Sequence, residues 1–87
     1  MIIEFKKGFK KDVQKLDPKI KMALADRLRL FSTDTSHPQL NNHALTGEYL
    51  GYRSINITGD WRVLYYELHE NAIVFAYIGT HSQLFGK

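Results

Sequence analysis

Eighty-seven residues with 44% apolar and 24% charged side chains describe one folded domain, residues 1–87, and exclude a disordered chain. The absence of cysteine excludes a disulfide framework and a thiolate metal site. The amino-terminal MIIEFKKGFKK lacks the apolar centre of a signal peptide, and no apolar run approaches the ~20 residues of a membrane span. A cytoplasmic protein without a membrane partner is expected.

The net charge of +3 hides an asymmetry: residues 1–31 hold nine Lys or Arg against four Asp or Glu, a balance of +5, and the remainder carries −2. Such a basic half suits a polyanion or an acidic protein partner. The plainer alternative is that the lysines solvate two helices.

Ile2 to Phe5 is a short β-prone run. Phe9, Val13 and Leu16 then recur at helical spacing, with Lys7, Lys11 and Lys15 as a stripe on another side. Asp17-Pro18 restarts a helix, Asp as N-cap and Pro at the first helical position. Ile20, Leu24, Leu28 and Phe31 carry that helix from Pro18 to about Phe31. Residues 32–51 show no sustained period and read as a long loop with room for one short strand. Tyr52–Thr58, Trp61–Leu68 and Ala72–Ile78 are rich in aromatic and β-branched residues and predict three strands joined by tight turns. His81 to Phe85 predicts a terminal turn or half-helix. The order β-α-α-β-β-β makes an α+β fold, a small, mostly antiparallel sheet with a helical hairpin on one face. Ile55 and Ile57 share one side of their strand, whereas Ser54, Asn56 and Thr58 share the other. The second side is therefore expected to be wet, with a shallow cleft.

Four polar residues stand beside glycines or turn signals at the ends of these runs: His43, Arg53, Asp60 and His81. Histidine titrates near neutral pH, so two histidines with a carboxylate and an arginine make a candidate acid–base site. Metal-free RNA cleavage needs such a set. A base takes the 2′-OH proton, an acid protonates the leaving 5′-oxygen, and donors hold the charge of the phosphorane. His81 is the first candidate for proton transfer. His43 and Asp60 compete for the complementary step, and Arg53 and Arg62 are candidates for the phosphate. The parity of Arg53 with Ile55 and Ile57 also allows a helix-facing position paired with an acid. Phe85 is the better candidate for stacking on a base, and Trp61 the better candidate for the core. His37 and His69 read as structural or solvated. No short paired histidine spacing points to a metal, and no cofactor is expected.

The segments HALTGEYLGYR (43–53), GDWRVLYY (59–66) and YIGTHSQLF (77–85), in this order and spacing, resemble the RelE-like bacterial toxins and among them the YafQ type. The resemblance covers nearly the whole chain. It implies the toxin of a type II toxin–antitoxin system, an endoribonuclease that enters the ribosomal A site and cleaves messenger RNA without metal. It implies a cognate antitoxin partner, with operator DNA reached only through the antitoxin complex. It maps the catalytic histidines onto His43 and His81, the strand-start acid onto Asp60 and the terminal aromatic onto Phe85. Asn56 departs from the YafQ pattern, which has a histidine there. Asparagine exchanges no proton near neutral pH but can still hydrogen-bond a phosphate or ribose. A gyrase-binding toxin of the ParE kind, which cuts nothing, and an inactive antitoxin-binding relative are the competing readings on the same fold.

Overall fold

A computed structural model describes residues 1–86; Lys87, counted above in the charge and in the single domain, lies outside the described residues. Strand β1 (Ile2–Phe5) leads into helices α1 (Lys7–Gln14) and α2 (Pro18–Thr33). Two 3-10 turns, Pro38–Leu40 and Gly47–Tyr49, flank the two-residue strand β2 (His43–Ala44). Strands β3 (Arg53–Asn56), β4 (Trp61–His69) and β5 (Ala72–Thr80) follow, and helix α3 (His81–Phe85) closes the described chain.

The α+β order is as the hydropathy pattern predicts, and the five strands form one sheet in the order β1-β5-β4-β3-β2. Every neighbouring pair is antiparallel except β1 with β5, where Ile3 lies opposite Ile73 and Phe5 opposite Phe75. The helical hairpin turns where the sequence places it: the Asp17 carboxylate accepts from the Lys19 N–H at 2.9 Å, and Pro18 opens α2. Helix α2 outlasts its apolar stripe, because the Ser32 and Thr33 hydroxyls bond back to the Arg29 and Leu30 carbonyls at 2.8 and 3.0 Å. Strand β3 is shorter than expected, since the N–H groups of Ile57 and Thr58 both turn to the Trp61 carbonyl and close the hairpin instead of extending it.

The core lies between the hairpin and one side of the sheet. Phe9, Leu24 and Phe31 meet Ile55, Ile57, Val63, Tyr65, Ile73 and Phe75 there, with Trp61 packed against them. Phe75 is the hub, its ring within 5.9 Å of Phe5, Phe9, Phe31 and Tyr65. The other side of the sheet is not simply wet as expected. Ser54 and Leu64 are fully buried, and the rings of Tyr49, Tyr52, Tyr66, Tyr77 and Phe85 touch one another as a second aromatic layer. Helix α3 stands on β5 at Gly79. A Cβ there would meet Gln83 Oε1 at 3.1 Å and Leu84 Cγ at 3.2 Å, so glycine lets the helix sit close.

Candidate active site

A cleft of about 370 Å³ opens where β2, β3, β4 and α3 meet, lined by Asn41, His43, Leu45, Ser54, Arg62, His81 and Phe85. Its lining holds two imidazoles and one guanidinium and no carboxylate, so its charge suits an anion.

His43 opens β2 directly opposite Ser54 and is exposed. Asn41, in the left-handed region at φ 46°, turns the chain so that its carbonyl lies 2.8 Å from His43 Nδ1. A carbonyl carries no proton, so Nδ1–H is the donor. The neutral ring then presents the Nε2 lone pair, the tautomer a general base needs.

His81 is the first residue of α3. Its N–H donates to the Asp60 carbonyl at 2.9 Å, which ties α3 to the β3–β4 turn. Thr80 and Gln83 form a reciprocal cap: Gln83 N–H donates to Thr80 Oγ1 at 3.2 Å, and Thr80 N–H to Gln83 Oε1 at 2.9 Å. One turn on, Phe85 places its ring 4.9 Å from the His81 ring. The other end of α3 is held by the Tyr49 hydroxyl, which donates to the Leu84 carbonyl at 2.9 Å.

Arg62 reaches the cleft while gripping the turn behind it. Nη1 donates to the Thr58 and Trp61 carbonyls at 3.0 and 3.1 Å, and Nη2 to the Gly59 carbonyl at 3.1 Å. That leaves Nε–H and one Nη2–H of its five donors outside the turn.

The cleft thus joins His43, Arg62, His81 and Phe85, and it does not take in the other candidates. Arg53 is on the helix-facing side, as its parity allowed, in a separate hollow with Phe31, Thr35, Asn42, Tyr65 and Glu67. Its partner is an amide and not an acid: Nε donates to Asn42 Oδ1 at 2.8 Å. The expectation that Arg53 meets the same phosphate is corrected accordingly, because pleating turns it away from Ser54 and His43. Asp60 does not line the cleft: it is exposed on the turn, and its carbonyl anchors His81. Asn56 stands opposite Arg62, its Oδ1 buried without a hydrogen-bond partner, outside the cleft lining. His37 is structural, its Nδ1 accepting from the Gln39 N–H at 3.1 Å. Among the described residues no three His, Cys, Asp or Glu side chains converge as a metal requires. No helix among them is long and apolar enough to cross a membrane.

Asn41 and Leu45 are lining residues that sequence reasoning missed, and Ser54 was placed on the cleft side of its strand without being singled out. The Asn41-Asn42 pair before His43 was a usable turn signal. Alternation along β3 put Ser54 on that side, and its register opposite His43 brings it into the lining.

The sequence profile of a family described as bacterial toxin of type II toxin–antitoxin system, YafQ, matches residues 1–86. The mRNA interferase toxin YafQ of Escherichia coli strain K12 is 33% identical over 76 residues, covering 87% of this chain and 75% of that one. The crystal structure of YafQ from Escherichia coli strain BL21(DE3) superposes with a TM-score of 0.75 at 27% identity, covering 97% of both chains. The toxin in the crystal structure of the Escherichia coli DinJ–YafQ complex superposes with a TM-score of 0.70 at 28% identity, again over 97% of each.

Proposed function

This chain belongs to the YafQ family of bacterial toxins of type II toxin–antitoxin systems, and from that premise we propose how its cleft does the work of an mRNA interferase. His43 Nε2 takes the proton of the 2′-OH. The freed oxygen attacks the adjacent phosphorus, and the P–O5′ bond breaks as His81 delivers a proton to the departing 5′-oxygen. The products are a 2′,3′-cyclic phosphate and a 5′-hydroxyl. The two uncommitted donors of Arg62 meet the phosphorane oxygens, whose charge exceeds that of the ground state. Phe85 stacks on a base beside the cut. Asp60 holds His81 through its main chain, and its carboxylate is exposed on the same turn. The observation that carries the reading is a cleft with two histidines, one arginine and no acid.

Two imidazoles and one guanidinium do little by themselves to align a flexible strand. Alignment of the 2′-OH for in-line attack is therefore assigned to the ribosomal A site. The partner in the bacterial cytoplasm is a cognate antitoxin, as in the DinJ–YafQ complex.

Cleavage of a defined message on programmed ribosomes tests this, with ribosome-free RNA as the control. Wild type should cut in the A site. His81→Ala and His43→Ala should each slow the cut by roughly 10²–10⁴ while binding antitoxin normally. Asp60→Asn, which keeps the carbonyl anchor, asks separately whether the carboxylate takes part. Folded, ribosome-bound wild type that leaves the message intact would move the assignment to a binding toxin.

A further inference from the structure

The aromatic layer on the far side of the sheet runs continuously out of the cleft. From His81 the path passes to Phe85 at 4.9 Å, to Tyr49 at 5.7 Å, and to Tyr52 and Tyr77 at 6.0 Å each. Tyr52 then meets Tyr66 at 5.4 Å and Tyr77 at 5.8 Å. We propose that Tyr52, Tyr66 and Tyr77 form a stacking track for bases of the single-stranded messenger RNA that leaves the cleft. The proposal rests on the cleft being the ribonuclease site.

Tyr77 is 41% exposed, although it lies on a long strand whose other residues are nearly all buried. Packing alone does not call for a large ring left open there, whereas every base has a π-face to offer it. The flanking charges fit a phosphate backbone. Lys6 Nζ stands 5.8 Å over the Tyr66 ring, and Lys15 shares a hollow with Tyr77. Asp12 borders that hollow too, but among the described residues neither Lys6 nor Lys15 is in an ion pair, the pair being Arg29 with Asp26. Burial, and next the neighbouring Tyr77, push the Tyr52 phenol above its ordinary value. Tyr52 therefore keeps its phenol proton at neutral pH and does not repel a polyanion. A stacking track of this kind is tolerant of base identity.

Single-turnover cleavage on programmed ribosomes at subsaturating toxin tests the track. The messages carry one abasic nucleotide, moved a position at a time across the cut. Wild type should cut the intact message and slow by about 5- to 100-fold when the abasic position is the one that stacks. Tyr77→Ala should slow the intact message by a similar factor and lose its sensitivity to that position, and Tyr77→Phe should behave as wild type. Circular dichroism checks folding. If Tyr77→Ala does not fold, Tyr66→Ala replaces it with the same expectation. A folded alanine variant that cuts at the wild-type rate overturns the track, and so does one whose defect simply adds to the abasic defect. A variant with normal cutting but weakened antitoxin binding overturns it in favour of an antitoxin surface. Wild type that fails on the intact message would sink the ribonuclease reading and the track with it, a result seen before any variant is made.

Discussion

Arg62 acts in two directions. Three of its donors wrap the carbonyls of Thr58, Gly59 and Trp61, and the same turn offers the Asp60 carbonyl to the His81 N–H. The planar fork therefore sets the turn, and the turn sets where α3 begins. A lysine keeps the charge and loses the fork. Arg62→Lys should lower stability by about 1–3 kcal/mol in a urea titration. Cleavage on ribosomes should fall beyond what the unfolded fraction explains, since His81 loses its anchor. Unchanged cleavage would separate the turn from the chemistry. At this scale His43 and His81 were legible because histidines at turn signals stand out. Ser54 was legible only as a residue on the cleft side of its strand, because its burial beside His43 depends on β2 lying next to β3.

Helix α3 has five residues, too few to persist alone, so its seat decides its position. The seat has three parts: the Thr80–Gln83 cap, the close approach over Gly79, and the Tyr49 hydroxyl on the Leu84 carbonyl. Tyr49→Phe removes the last and leaves the ring contacts with Phe85 and Tyr77. Stability should fall by only ~0.5–1.5 kcal/mol, while cleavage drops several-fold with ribosome binding preserved. A drop in ribosome binding alone would show that Tyr49 acts elsewhere. The cap was readable in part from Thr80 and Gln83, but the tie from Tyr49 spans 35 residues and has no local signature. Strand ends behaved likewise. The apolar runs marked where β3, β4 and β5 lie, and hydrogen bonds decided where each stopped.

For the whole molecule, one core carries the stability, and Phe75 is fully buried at its centre among four aromatic rings. Phe75→Ala should cost about 3–5 kcal/mol, a large part of the ~5–15 kcal/mol typical of a domain. Thermal melting should show a chain barely folded at 37 °C, and binding of an antitoxin should recover part of the loss by mass action. The sequence by itself determined the element order, the helix-facing core and the histidines, because periodicity, capping and turn chemistry are local properties that neighbouring residues enforce. Only the tertiary structure decided which polar residues share the cleft. The helix-side position of Arg53 was already open to its parity with Ile55 and Ile57, whereas register set Ser54 against His43 and Asn56 against Arg62. Those outcomes depend on pairing between distant strands, and a linear pattern does not encode which strand becomes whose neighbour.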